Sequence, residues 1–280
     1  MTVGMLQIEE LAEAQFSEIS VLVKELCGIN LHQGKKELVK ARLNKRLRTL
    51  GMPSYDAYID FVRNDASGAE LTMMLDALST NLTGFFREPD HFDHLRDHVL
   101  TQWARGGDRT KPLRIWSAGC SSGEEPYTIA ISVCEKLADR PFSDAKILAT
   151  DLSTRVLAAG RKGVYPGERL QAVPPQLRAK HFTCVETRPD KLFRVNDTLR
   201  RLVHFAKLNL MDPWPMRGPF DAIFCRNVMI YFDKDTQGRL VQRFWQLLAP
   251  RGRMFIGHSE SLAGVRHRFR YVQPTVYEKT

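Results

Sequence analysis

The sequence predicts an α/β protein in which a small helical domain precedes a mainly parallel sheet wrapped by helices. Three observations support this fold class. Residues 1–78 show helical patterns without strand-like alternation. From residue 113 onward, short apolar strands alternate with helical segments. The stretch IWSAGCSSGEE, residues 115–125, runs from an apolar strand through a turn of small residues into a helix, an arrangement that brings backbone N–H groups close to a ligand.

The helical domain is expected to hold four helices. Apolar residues from Leu11 to Leu26 recur at helical spacing. Gly51 and Pro53 are expected to end the second helix. The later helices are predicted at residues 35–50, 55–64 and 68–78. The segment that follows, STNLTGFFREPDHF at 79–92, contains a glycine and a proline and is predicted to be a hinge between two domains.

The second domain is predicted at residues 93–280. Its strands are LRIWSAG, KILATD, VHFAKLNL, FDAIFCRN and RMFIGH, its helices are at 124–138, 153–161 and 235–248, and FRYVQPTVYEK closes it with a hairpin-like pair. Residues 166–202 are too long for a plain connection. They are therefore predicted to form an inserted subdomain of short antiparallel strands, LFRV among them.

Composition excludes several protein classes. The 280 residues are 43% hydrophobic, and no run of about 18 apolar residues could span a bilayer. Glu9, Glu10 and Glu13 interrupt the N-terminus, which lacks the pattern of an export signal, so a cytoplasmic protein is expected. The five cysteines show no CxxC spacing, which argues against a disulfide framework or a zinc site. No metal is expected.

The charge is concentrated in one predicted helix. The chain carries a net charge of +9, which indicates an acidic partner, either nucleic acid or protein. In KKELVKARLNKRLRTLG, residues 35–51, seven of seventeen residues are basic, and Lys35, Arg42 and Arg46 form a stripe at helical spacing. A solvated face explains such a run equally well. The alternative is docking to an acidic surface.

The glycine- and serine-containing loop matches neither common phosphate-binding motif. Gly119 and Gly123 do not form GxGxxG, and the GKS or GKT of a P-loop is absent. Asp151 ends the next strand, where a carboxylate can accept hydrogen bonds from both ribose hydroxyls. These two features favour a nucleoside site no more than an ordinary turn with a helix-capping aspartate.

Five stretches in order, STNLTGFFRE, WSAGCSSGEEPYTIAI, ATDLSTRVL, GPFDAIFCRNVMIYFD and GHSESL, closely resemble the CheR family of chemoreceptor glutamate methyltransferases. The resemblance covers almost the whole chain. It implies a Rossmann-like domain that uses S-adenosyl-L-methionine, yields S-adenosyl-L-homocysteine, and converts glutamates on the cytoplasmic methylation helices of chemoreceptors to methyl esters. Such a reaction needs the carboxylate to be positioned against the methyl group and does not need a general base, because a glutamate with a pKa of about 4.3 is already ionised at neutral pH.

The resemblance also implies site residues. Arg87 and Tyr231 match active-site positions, where a guanidinium can orient a carboxylate and a tyrosine can donate one hydrogen bond. Lys35, Arg42 and Arg46 belong to the helix proposed to dock the receptor. The residues that match cofactor contacts are Asn81, Thr83, Arg87, Glu125, Asp151, Asn209, Leu210, Asn227 and Val228. Taken singly, Asn81 or Thr83 could cap a turn, Val228 could be core, and Arg87 could pair with Glu88 or Asp90.

Other functions are weighed against this one. Enzymes that methylate base amines carry an NPPY-type motif after the fourth strand, whereas this chain has Arg226-Asn227-Val228-Met229, so a nucleic-acid substrate is not expected. A non-catalytic cofactor-binding scaffold is the alternative from a different class. Some family members bind a receptor C-terminal peptide through a glycine-containing turn of the insertion, but residues 184–191, CVETRPDK, lack glycine, which disfavours that tether. Nothing in the sequence suggests a stable dimer.

Overall fold

The structure, a computed structural model, describes residues 8–78, 81–106, 112–138, 144–187 and 190–280. The helical domain contains a short 3₁₀ turn, Gln33–Lys35, directly before the basic helix. The helices of this domain are α1 (Glu13–Cys27), α2 (Lys36–Leu50), α3 (Tyr55–Asn64) and α4 (Ala69–Leu78). These positions follow the predicted ones to within two residues; α2 begins one residue later than expected because Lys35 belongs to the 3₁₀ turn.

Apolar spacing builds the small core of this domain. Val39, Leu43 and Leu47 lie four residues apart on α2 and are fully buried, so one face of the basic helix packs inward. Gly51 ends α2 with φ +69°, a left-handed conformation that glycine adopts without a Cβ penalty. The Ser54 side chain then accepts a hydrogen bond from the Ala57 N–H at 3.4 Å and caps α3.

The second domain is built on a seven-stranded sheet of order β6-β2-β1-β7-β8-β10-β9. The first five strands in that order are parallel, and β10 runs antiparallel between β8 and β9. The strands are β1 (Leu113–Ala118), β2 (Ala145–Asp151), β6 (Val203–Lys207), β7 (Phe220–Cys225), β8 (Leu248–Ile256), β9 (Phe269–Gln273) and β10 (Val276–Lys279). This arrangement confirms the predicted fold class, with the order reversing at β1 as in dinucleotide-binding sheets.

Helices cover both faces of the sheet. The segment after the linker is helical from residue 90 to 105, with a π-helical stretch, Leu95–Leu100, between two short α-helices. The helices are α5 (Asp90–His94), α6 (Thr101–Arg105), α7 (Glu124–Lys136), α8 (Thr154–Lys162) and α11 (Lys234–Leu247). The predicted helices at 124–138, 153–161 and 235–248 correspond to α7, α8 and α11. Among the described residues, every helix is too short or too polar to traverse a bilayer.

The inserted subdomain is a three-stranded antiparallel sheet of order β3-β5-β4. Its strands are β3 (Val164–Pro166), β4 (Phe182–Glu186) and β5 (Leu192–Val195), and β5 is the predicted strand LFRV. The small sheet starts two residues before the expected boundary. Two short helices that the pattern did not predict, α9 (Pro175–His181) and α10 (Asp197–Leu202), flank it. Residues 188 and 189 of the glycine-free turn lie outside the described residues.

Polar contacts join the helical domain to the sheet domain. Lys24 on α1 forms an ion pair with Asp233 at 2.8 Å, which lowers the pKa of the Asp233 carboxyl. The Asn30 N–H donates to the Tyr231 carbonyl at 2.8 Å. Lys207 at the end of β6 donates to Thr72 Oγ1 on α4 at 3.2 Å. These contacts hold the helical domain over the carboxyl ends of the parallel strands.

Candidate active site

A cavity of about 290 Å³ lies where the helical domain meets the carboxyl ends of β1, β2, β6 and β7. Ligands of open α/β sheets bind at this edge. All residues that the sequence predicts as cofactor-binding or catalytic line the cavity, namely Asn81, Thr83, Arg87, Glu125, Asp151, Asn209, Leu210, Asn227, Val228 and Tyr231. The structure thus brings these ten residues together, while their individual roles stay predictions.

The turn after β1 is shaped for close approach of a ligand to backbone. Gly119 has φ +87°, and a Cβ at this position would lie 2.4 Å from Val228 Cγ2. The N–H groups of Gly119 and Cys120 donate to the Thr150 carbonyl at 2.8 and 2.9 Å, so the turn is bonded to β2. Ser121 follows with φ +48°, which is uncommon for a residue with a side chain and typical of functional loops.

Asp151 is held by backbone donors on both carboxylate oxygens. Ser121 N–H donates to Oδ2 at 2.9 Å and Ser153 N–H donates to Oδ1 at 3.0 Å. Burial raises the pKa of Asp151, and these two N–H bonds oppose that rise by favouring the ionised form. Each oxygen retains a further lone pair. The side chain can therefore accept from two neighbouring hydroxyls, as the ribose prediction requires.

A buried guanidinium in the wall of the cavity connects two carboxylates. Arg226 donates to Glu125 Oε2 at 3.1 Å and to Glu88 Oε2 at 2.9 Å, and its side chain is 2% exposed. Ser117 Oγ also donates to Glu125, at 2.7 Å. Burial raises the pKa of Glu125 although Arg226 opposes it. Sequence reasoning missed Arg226 as a positioning residue, although it lies inside the quoted stretch FDAIFCRN.

The linker passes directly along the cavity. Ser121 Oγ donates to the Asn81 carbonyl at 3.0 Å, and Arg169 Nη1 donates to the Thr83 carbonyl at 3.2 Å. Phe86 and Glu88 have φ of +53° and +58°, so the chain turns sharply at this point. The Arg87 side chain lines the cavity and donates to the Leu82 carbonyl at 2.8 Å.

The loop after β7 is fixed by a buried carboxylate. Glu260 accepts from the N–H groups of Asn227 at 2.9 Å and Ile230 at 3.1 Å, and from that of Gly257. Asn227 adopts φ +57°, and a Cβ at Gly257 would lie 2.3 Å from its side-chain nitrogen, so only glycine fits there. Glu260 was also missed as a functional residue, although the stretch GHSESL contains it.

Asn209 lines the cavity, but its amide makes structural contacts. Its Nδ2 donates to the Leu26 carbonyl at 2.6 Å and to Asp212 Oδ1 at 3.1 Å, and its Oδ1 accepts from the Met211 N–H at 3.1 Å. The side chain therefore joins α1 to the loop after β6. The cofactor contact expected of Asn209 and Leu210 stays a prediction, and both residues line the cavity.

The three predicted docking cations occupy different environments. Lys35 lines the cavity, with Nζ 5.4 Å from the centre of the Tyr231 ring. Arg42 Nη1 donates to the Leu78 carbonyl at the end of α4. Arg46 forms a two-pronged ion pair with Glu70, which is 4% exposed. The fold thus uses Arg42 and Arg46 internally, and their docking role stays a prediction.

These features fit a nucleoside bearing an amino-acid tail. The glycine turn admits a ligand at the backbone, Asp151 can accept from ribose hydroxyls, and the cavity also offers carboxylate and cationic side chains for polar groups. Among the described residues that line the cavity, none is a histidine. Fold and site together define an S-adenosylmethionine-dependent methyltransferase of the Rossmann-like class.

Sequence comparisons identify the family. Residues 81–278 match the CheR methyltransferase SAM-binding domain, and residues 14–79 match the CheR methyltransferase all-alpha domain. A chemotaxis protein methyltransferase 2 of Pseudomonas aeruginosa is 46% identical over 94% of this chain and 91% of its own length. The chemotaxis protein methyltransferase of Escherichia coli is 40% identical over 98% of this chain and 94% of its own. A probable chemotaxis protein methyltransferase of Rhizobium etli is 45% identical over 90% and 95%.

The chain belongs to the CheR methyltransferase family. Its cofactor is S-adenosyl-L-methionine, and it is a methyltransferase of the chemotaxis type. Both conclusions agree with the resemblance seen in the sequence.

Proposed function

We propose that this enzyme methylates glutamate side chains on the cytoplasmic methylation helices of chemoreceptors, forming glutamate methyl esters. The observation that carries the proposal is the composition of the cavity. Lys35, Arg87 and Tyr231 line it together, and no histidine does so among the described residues. A carboxylate nucleophile is ionised at neutral pH and needs cations and a hydroxyl around it rather than a general base.

Bound S-adenosylmethionine supplies an electrophilic methyl carbon on its sulfonium. The residues of this chain position the substrate carboxylate and exclude water from the cavity. Arg87 and Lys35 attract the substrate carboxylate, and the Tyr231 hydroxyl donates to one of its oxygens. The helical domain and the linker cover the cavity, which limits competing attack by water. No proton has to be removed from the nucleophile.

The basic helix α2 is proposed to receive the acidic substrate helix. Lys45 and Arg48 are exposed on α2, whereas Lys36 and Lys40 form ion pairs with Glu13 and Glu10. Exposed cations steer a glutamate-rich helix toward the cavity mouth through complementary charge. We further propose that the enzyme acts as a cytoplasmic monomer.

The test is a transfer assay with radiolabelled methyl groups on the cofactor and a receptor cytoplasmic fragment as acceptor. Label is expected in the receptor and should be released by mild alkali, as an ester requires. Tyr231→Phe should lower the transfer rate at least about tenfold, because one hydrogen-bond donor to the reacting group is lost. It should leave the affinity for S-adenosylhomocysteine nearly unchanged. Absence of label with cofactor bound would support the scaffold alternative, and alkali-stable label would exclude ester formation.

A further inference from the structure

Glu88, His91 and His258 form a cluster on the far side of Arg226 from the cavity-lining Glu125. One carboxylate oxygen of Glu88 and one ring nitrogen of each histidine lie within 4.8 Å of one another. Glu88 lies in the linker just before α5, His91 belongs to α5, and His258 follows β8. We propose that this cluster binds a divalent transition-metal ion of the zinc type, which would bind the linker to the loop after β8.

The tautomer of His91 is the first argument. A Thr275 hydroxyl that donates to the Pro274 carbonyl at 2.6 Å accepts a hydrogen bond from His91 Nε2 at 2.7 Å. In this tautomer Nε2 carries the proton of the His91 ring, and Nδ1 presents a bare lone pair. The ring is fully buried, and Nδ1 has no hydrogen-bond partner among the described residues.

That lone pair faces a second acceptor. His91 Nδ1 is 3.5 Å from Glu88 Oε2, and a ring that carries its proton on Nε2 places no proton between these two atoms. Two acceptors that face each other in a buried site repel unless a cation lies between them.

The spacing of this pair suits a metal ion. Two ligands at about 2.1 Å from a tetrahedral zinc ion lie about 3.4 Å apart, close to the observed Glu88–His91 separation. The His258 side chain is 45% exposed and can close the remaining distance by rotation at the surface, which also gives the ion a path from solvent.

The surroundings match those of protein-bound zinc. A metal-ligating histidine usually donates its other N–H to an oxygen, and His91 Nε2 lies 2.7 Å from Thr275 Oγ1, which can accept that bond. Asp90 Oδ2 lies 3.2 Å from His258 Nε2 and can orient that ring in the same manner. The Arg226 guanidinium is shared between two carboxylates, so its charge is offset before an ion enters. Imidazole and carboxylate donors together favour zinc over magnesium.

The expectation from the sequence that the protein binds no metal was based on cysteine spacing. Such spacing carries no information about a site built from histidine and glutamate. Glu88 and His91 are three residues apart in the sequence, and the fold brings His258 to them. The proposal is independent of the methyl-transfer reaction, since none of the three residues lines the cavity.

The experiment uses the full, untagged chain carrying Cys184→Ser, which removes the exposed thiol as a competing ligand. After EDTA treatment the protein is equilibrated with zinc, and bound metal is measured by elemental analysis together with the melting temperature. About one zinc per chain and a raised melting temperature are expected. His258→Gln should weaken zinc binding at least about tenfold and abolish the thermal shift, because one ligand is lost from a half-exposed position. The matched control, His204→Gln, changes an exposed histidine on β6 and should bind as the parent does.

Failure of the parent protein to retain zinc would overturn the proposal. So would equal zinc binding by the parent and His258→Gln, because the ion would then lie elsewhere. Full competition by magnesium at equal concentration would also count against a histidine-containing site.

Discussion

The carboxylate of Glu260 accepts a hydrogen bond from the Asn227 N–H at 2.9 Å, so a residue beyond β8 sets the conformation of the loop beyond β7. The same carboxylate also binds the N–H groups of Ile230 and Gly257. Burial raises its pKa, and the backbone donors oppose that rise. Glu260 is therefore a positioning residue for the cavity wall formed by Asn227 and Tyr231.

Replacement of Glu260 should weaken cofactor binding without touching the cofactor. In Glu260→Gln the amide NH₂ would face a backbone N–H, leaving at least one buried donor unpaired, at a cost of about 1–3 kcal/mol in the free energy of unfolding. Calorimetric titration with S-adenosylhomocysteine should show several-fold weaker binding. Glu168→Gln, at an exposed glutamate, is the control and should match the wild type in both measurements. Unchanged affinity in Glu260→Gln would remove the positioning role.

Gly119 should not tolerate even alanine. The new Cβ would meet Val228 Cγ2 at 2.4 Å and would also hold a side chain at φ +87°, so we expect about a tenfold or greater loss of S-adenosylhomocysteine affinity, equal to about 1.4 kcal/mol. Gly264→Ala separates the steric clash from the backbone strain, because Gly264 has φ +74° but no atom lies within 4 Å of the added Cβ. Val228→Ala should partly restore binding in the Gly119→Ala background. Equal affinities in Gly119→Ala and wild type would contradict the close-approach argument.

Charge reversal on α2 should distinguish docking from stability. Arg48 is exposed, so Arg48→Glu should slow receptor methylation, more so at low salt, while the free energy of unfolding stays unchanged. Arg46→Glu should instead destabilise the helical domain by about 3 kcal/mol or more, because it leaves Glu70 buried beside a second carboxylate. Initial methylation rates and urea unfolding measure the two effects. If Arg46→Glu slows methylation at unchanged stability, Arg46 docks the receptor directly, as the sequence predicts.

Stability should decline in mild acid partly through His94. Burial lowers its pKa from an ordinary 6.5 to about 4. The unfolded chain therefore binds a proton below about pH 6.5 that the folded chain binds only near pH 4, and this histidine alone lowers the free energy of unfolding by up to about 3 kcal/mol across that window. Urea unfolding in the presence of EDTA should show that the free energy of unfolding depends less steeply on pH for His94→Gln than for wild type. His204→Gln is the control. Parallel pH profiles for His94→Gln and wild type would contradict the buried neutral state.

Local patterns predicted the secondary structure well where one pattern dominates. The helix at 55–64 and the strand LFRV appear at the predicted residues, because the apolar period is clear and a capping serine or a turn bounds the segment. Helices α9 and α10 were missed. They have seven and six residues, too few for a period to show, and they are held by packing against neighbours.

The sequence by itself determined the order of strands and helices, the glycine turn, and the residues that end each parallel strand, because these depend on chain-local geometry and on the rule that strand ends meet at one edge. Only the tertiary structure decided how cations and carboxylates are paired. Arg46 lies against Glu70, Arg226 between Glu88 and Glu125, and Glu260 beneath Asn227, in pairs up to 138 residues apart. A charged residue in a sequence looks the same whether it is solvated or buried. Its partner is selected by which groups the packed core removes from water together, since a buried charge must be paired.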